Sequence, residues 1–162
     1  MQSEGALDRR RDTDDPPVAR PRSLLFLCGR NTIRSPIAEA LAKRLLPKSI
    51  FITSAGVRTG THDPFVDAVL AEEALSRNEW HPQLLEELAD TYFDFVVTLA
   101  PEAHHAALEL TRTMAVEVEY WPTLDPSVIE GSREQVLAAY RSVRDELAAR
   151  IARRFGAPLY ER

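Results

Sequence analysis

A chain of 162 residues, 44% apolar and 28% charged, has the make-up of one globular domain large enough to bury its own core. Its net charge of −5 and pI near 5.4 exclude the broad basic footprint of a nucleic-acid binder. The single cysteine excludes an internal disulfide and a multi-thiolate zinc site, and no apolar run approaches a membrane span.

Residues 1–22 hold five arginines, five acids and three prolines, with almost nothing to bury. That composition predicts a disordered tail ahead of a domain spanning 23–157. Nothing in it resembles the apolar segment of a secretory signal, so a cytoplasmic protein without a membrane partner is expected. From Ser23 the pattern changes. SLLFLC (23–28) is a continuous apolar run, as expected of a strand buried on both faces. SPIAEALAKRLL follows, with Ile37, Ala40, Leu41 and Leu45 on one helical face, Ser35 as candidate cap and Pro36 in the first turn. SIFITS (49–54) reads as a second strand. After a loop, Val66, Val69, Leu70 and Ala74 mark a helix near 65–75, and a short helix is expected within 81–89. FDFVVTL (93–99) is a third strand, 101–111 a helix opening with proline, and 115–121 a fourth strand. Val136, Tyr140, Val143, Leu147, Ile151 and Phe155 recur at helical steps along a final helix, about 132–155.

Strands alternating with helices predict an α/β domain, a four-stranded parallel sheet with helices on both faces. Ligands of such sheets sit beyond the carboxyl ends of the strands. Cys28 stands at the end of the first strand, and Asp125 and Pro126 come just after the fourth. A loop running from a strand end into a helix N-terminus turns backbone N–H groups toward an anion, assisted by the helix dipole. Arg34, six residues after the cysteine, adds a planar fork matching two phosphate oxygens. That surrounding favours the thiolate of Cys28, the form able to attack phosphorus.

Cys-x5-Arg-Ser-Pro, placed after the first strand and before a helix, resembles the low-molecular-weight protein tyrosine phosphatase family. Asn31, the SAG of 54–56 and the Asp-Pro of 125–126 match as well, so the likeness runs from about Ser23 to Phe155. The resemblance implies a flavodoxin-like fold of the phosphotyrosine protein phosphatase I type. It implies a nucleophile in Cys28 that forms a phosphocysteine. Arg34 would grip the phosphoryl oxygens, and Asp125 would protonate the leaving oxygen and later activate water. Gly29, Arg30, Asn31, Thr32, Ile33, Arg34 and Ser35 would line the phosphate, or another oxyanion. Ser35 would donate to the sulfur, and Asn31 and Ser54 would hold the loop's shape. Neither a metal nor a cofactor is implied. The partner implied is a phosphorylated protein.

Several positions depart from the family's pattern. Ile33 stands where members often carry a second cysteine, so a protective disulfide with Cys28 is impossible. Ser127 and Val128 follow Asp-Pro, where tyrosine-directed members place aromatic residues; Trp121 or Tyr120 is then the candidate wall for a phenyl ring. Thr32 resembles the members that act on phosphoarginine. Arg30 adds a guanidinium at the mouth, suited to an acidic substrate flank. Arsenate reduction on the same fold is a further reading, as is a non-catalytic phosphate-binding module. The thioredoxin-coupled reductases need additional downstream cysteines, and this chain has none. Plainer readings exist for each residue: a buried cysteine as core filler, Asp-Pro as a turn, Asn31 as a left-handed turn residue, Glu102 and His105 as a solvated helix face.

Overall fold

The computed structural model describes residues 20–77, 80–88 and 91–156. Four strands form one sheet: β1 (Ser23–Cys28), β2 (Phe51–Gly56), β3 (Phe95–Thr98) and β4 (Glu117–Tyr120). Their spatial order is β2-β1-β3-β4, and every neighbouring pair is parallel. Four α-helices connect and cover them: α1 (Arg34–Leu45), α2 (Pro64–Ala71), α3 (Pro101–Leu110) and α4 (Arg133–Phe155). Single turns of 3₁₀ helix lie at Leu85–Leu88 and Pro126–Val128.

Because successive side chains of a strand point to opposite faces, β1 feeds two cores. Leu24, Phe26 and Cys28 join the larger one, with Ile37 and Leu41 of α1, Val66 and Leu70 of α2, and Tyr140, Leu147 and Phe155 of α4. Leu25 and Leu27 join the smaller one, with Val96 of β3 and Ala103 and Ala107 of α3. Leu24–Cys28 is apolar throughout because neither face of the strand meets water there. Helices thus cover both faces, as the alternating pattern predicts.

Differences from the expected elements have local causes. α2 ends at Ala71, short of the expected 75, and Ala74 adopts a left-handed conformation at φ 56°. The expected helix within 81–89 shrinks to the turn Leu85–Leu88. Its first residues are spent on the sheet edge instead: Gly56 N–H donates to Gln83 O at 2.9 Å, and Gly56 bridges Leu84. α4 opens on a capping box of Ser132 and Gln135 and closes on Gly156 at φ 72°.

The expected tail overlaps the described chain at its last three residues, and these are tied to the domain. Arg20 Nε donates to Phe155 O at 2.9 Å, and the Arg22 and Ser23 N–H groups donate to the Asp94 carboxylate at 2.9 and 3.0 Å. An arginine on the last carbonyls of α4 suits the negative end of that helix. Residues 1–19 of the expected tail, and residue 157 of the expected domain, lie outside the described residues.

Candidate active site

β1 ends at Cys28 and α1 begins at Arg34, so five residues make the connection. Their shape is enforced from several sides. Asn31 sits at φ 57°, a region that asparagine tolerates better than most residues. Its buried side chain is fully used: Nδ2 donates to Ser35 Oγ at 2.8 Å and to Ser54 Oγ at 2.9 Å, and Oδ1 accepts from Gln83 N at 3.0 Å. The left-handed turn and the loop support are therefore one role. The carbonyl of Gly29 accepts from the Val57 and Arg58 N–H groups, both at 2.9 Å. That bonding ties the loop's start to the segment that follows β2. Gly56 has no room for a side chain: a Cβ there would lie 2.6 Å from the Arg30 carbonyl carbon.

Cys28 is 2% exposed, yet its sulfur is not packed only on hydrocarbon. Sγ lies 2.9 Å from Ser35 Oγ. Asn31 Nδ2 donates to that hydroxyl, so the hydroxyl's own proton is left for the sulfur or, at 3.4 Å, for the Ala55 carbonyl. Ser35 is not the helix cap that the sequence suggests. The helix starts at Arg34, two residues earlier than a Ser35 cap implies; its N-cap position is Ile33, and no side chain caps it. The Ser35 hydroxyl turns inward to the sulfur instead.

Arg34 Nη1 donates to Thr123 O at 2.9 Å and reaches Leu99 O at 3.5 Å. Carbonyls from the segments that follow β3 and β4 thereby hold the guanidinium. Asp125 follows β4 and caps the turn Pro126–Val128; its Oδ1 accepts from Ser127 N at 2.9 Å and Ser127 Oγ at 2.6 Å. Among the described residues no hydrogen bond reaches its Oδ2. Cys28, Gly29, Arg30, Thr32, Ile33, Arg34 and Asp125 line one cleft of about 690 Å³. Asn31, Ser35 and Ser54 lie behind it, each 0% exposed.

Other residues in or behind the cleft were not legible in the sequence. Ser54 Oγ donates to Glu39 Oε1 at 2.5 Å, and Glu39 Oε2 pairs with Lys43 at 2.6 Å. An acid on the apolar face of α1, four residues after Ser35 and four before Lys43, was the available signal. Gln83 Nε2 donates to Ser54 O at 2.7 Å and Thr53 Oγ1 at 2.9 Å. Nothing local marks that glutamine. Tyr140 of α4 enters the cleft and donates to Asp63 Oδ2 at 2.8 Å; burial first, and then the Asp63 carboxylate, push its phenol well above the usual range. Glu102 is not merely a solvated face. It lines the cleft against Gly29, where its carboxylate occupies the space a Cβ would need, and accepts from Arg58 Nη2 at 2.8 Å.

The expected aromatic wall is not where the sequence placed it. Trp121 is 2% exposed and packs against Phe26 and Phe155, with the Arg150 guanidinium 5.1 Å from its ring. The Tyr120 ring stacks on His104 at 4.8 Å. Neither lines the cleft, because Tyr120 at the end of β4 and Trp121 just after it pack on the body of the domain before the chain turns at Asp125. The aromatic rings that do line it are Phe65 and Tyr140. Among the described residues no group of three or more His, Cys, Asp or Glu is placed to hold a metal ion, and no helix is long and apolar enough to cross a membrane.

With this geometry in view, the model of the low molecular weight phosphotyrosine protein phosphatases matches residues 23–155. The chain belongs to that family. The arsenate reductase of Shouchella clausii is 32% identical over 129 residues, covering 79% of this chain and 91% of that protein. The crystal structure of arsenate reductase from Archaeoglobus fulgidus is similar at a TM-score of 0.63 and 28% identity, covering 82% of this chain and 98% of that one. A YwlE arginine phosphatase with a phosphorylated active-site serine has a TM-score of 0.62 and 26% identity, covering 80% and 90%. In this family member Cys28, Arg34 and Asp125 line one cleft.

Proposed function

We propose that this chain hydrolyses phosphorylated protein side chains, phosphotyrosine first, through a phosphocysteine intermediate. The single observation that carries the reading is the 2.9 Å contact of Cys28 Sγ with Ser35 Oγ beside the cleft that Arg34 and Asp125 also line. Cys28 thiolate attacks phosphorus, forming the S–P bond as the bond to the leaving oxygen breaks. Asp125 gives its proton to that oxygen, because an alkoxide or phenoxide leaves poorly without one. Arg34 and the loop amides stabilise the charge spread over the equatorial oxygens. In the second step Asp125 takes a proton from water, the water oxygen attacks phosphorus, and Cys28 departs as thiolate with the Ser35 hydroxyl on its sulfur. Phe65 supplies apolar ring surface for a phenyl group, with the buried Tyr140 ring packed against it at 5.3 Å.

A second substrate reading is phosphoarginine. Thr32 lines the cleft, no aromatic residue follows Asp125-Pro126, and an arginine phosphatase is among the structural relatives. Arsenate reduction is less well supported despite the names of the curated relatives. One cysteine cannot relay oxidation to a second thiol of the same chain, so an external thiol would have to serve.

Turnover of an aryl phosphate at mildly acidic pH, abolished in Cys28→Ser, tests the chemistry; full activity in that variant would overturn it. Rates on matched phosphotyrosine and phosphoarginine peptides decide between the substrates. Arsenate-dependent oxidation of an added thiol tests the reductase reading. Oxyanion binding without turnover of any phosphomonoester would favour a non-catalytic module.

A further inference from the structure

A second depression, about 440 Å³, adjoins the cleft and shares two of its walls, Arg30 and Arg58. Val57, Thr59, Leu84 and Glu86 complete it. The two arginines are held at set places relative to Cys28. The backbone at Arg30 is backed by Gly56 and Gly60, where a Cβ would collide with it. The Arg58 N–H donates to Gly29 O at 2.9 Å, and its guanidinium is tied to Glu102 at 2.8 Å. Arg30 is exposed, and among the described residues no acid pairs with it. Its side chain is therefore a free cation at the junction of the two cavities, while Arg34 is the guanidinium held by the segments that follow β3 and β4.

We propose, resting on the phosphatase reading above, that this depression is a subsite for the polypeptide flanking the phosphorylated residue, and that Arg30 and Arg58 select an acidic side chain there. An extended peptide advances about 3.3 Å per residue, so a residue one or two positions from the phosphorylated one steps from the cleft into the depression. A carboxylate matches the forked geometry of a guanidinium, and Val57 and Leu84 offer apolar surface for the methylenes of a glutamate. Glu86 in the lining and Glu102 on Arg58 offset part of the charge. The site thus suits one carboxylate rather than an acidic run. A lysine or arginine in the same place would face two like charges. Exposed pairs are individually modest, so the preference is set at about three- to tenfold.

The test uses the full chain and pairs of phosphotyrosine peptides, and likewise phosphoarginine peptides, differing only in glutamate or glutamine beside the phosphorylated residue. kcat/KM is measured on the wild type, and Kd on Cys28→Ser. The glutamate peptides should be preferred about three- to tenfold, in KM and Kd rather than kcat, with the preference shrinking as salt is raised. Arg30→Ala and Arg58→Ala should each bring the ratio toward one, whereas Arg112→Ala, which lines neither cavity, should leave it unchanged. A ratio of one in the wild type overturns the subsite, as does a ratio unaltered in the Arg30→Ala/Arg58→Ala double variant. Equal weakening of both peptides by Arg30→Ala also overturns it, since Arg30 would then grip the phosphate itself. Lack of binding by either peptide counts against it too. Failure to hydrolyse para-nitrophenyl phosphate would sink the catalytic reading instead, and the Kd ratio would still decide the subsite.

Discussion

Ser54, near the end of β2, donates a 2.5 Å hydrogen bond to the buried carboxylate of Glu39 on α1. The contact completes a chain from Lys43 through Glu39, Ser54, Asn31 and Ser35 to the sulfur of Cys28. A buried carboxylate is costly to place and costly to remove, because its partners are left without an acceptor. Glu39→Ala is expected to lower stability by about 1–3 kcal/mol, or about 2–4 °C in the melting midpoint for each kcal/mol at this chain length. Denaturant and thermal melts measure it. A change under about 0.5 kcal/mol, the level of an ordinary surface substitution, would show that the support of the loop ends at Ser54.

Ser35→Ala removes the hydroxyl from the sulfur while leaving the helix uncapped as before. A hydrogen bond to a charged group is worth about 1.5–3 kcal/mol, so kcat should fall about ten- to hundredfold. Loss should be felt most when thiolate is the leaving group, and rapid-quench trapping should find more phosphocysteine at steady state. Unchanged kcat would mean that the dipoles of the loop hold the anion unaided.

Asp125→Ala should slow substrates with poor leaving groups by about 10²–10⁴ and activated aryl phosphates much less. The slope of log rate against leaving-group pKa reads this directly, becoming steeper in the variant. An equal loss across the series would place the proton donor elsewhere in the cleft, with Asp63 and Glu102 as the other carboxyls lining it.

Acid should uncouple α2 from α4. Glu72 follows α2, and the guanidinium of Arg141, then that of Arg144, holds its carboxyl at about 2, against an ordinary 4.5; burial acts the other way and loses. A carboxyl depressed on folding contributes stability that is complete above its unfolded value and lost as pH falls through its folded one. Glu72→Gln should therefore be less stable than the wild type at pH 7, and the gap should close between about pH 4.5 and 2. Salt should narrow the gap as well, because the pair faces solvent. A difference that stays constant from pH 7 to pH 2 would refute the assignment.

The sheet and its four strands were legible because their signal is local. A strand buried on both faces must be apolar where it is buried, and β1 is from Leu24 to Cys28. The edge where chemistry gathers followed from strand direction alone, which is why Cys28 and Asp125 could be placed together although 97 positions separate them. The short helix expected within 81–89 was lost to a long-range effect: the Gln83 backbone is taken by the edge of β2. Trp121 and Tyr120 failed as a wall for a related reason. Which way a ring points after a strand depends on the packing it meets, and Phe26, Phe155 and His104 receive them.

The sequence by itself determined the class of fold and the family, and it set one thiol and one guanidinium in the connection between first strand and first helix, because those signals are carried by neighbouring residues. Only the tertiary structure decided what supports and surrounds them: Glu39 and Gln83 behind the loop, Glu102 and Arg58 at its rim, Phe65 and Tyr140 beside it. Those roles depend on the approach of segments distant along the chain. A side chain's hydrogen-bond partner is set by where other elements pack, and no local pattern of residues encodes that position.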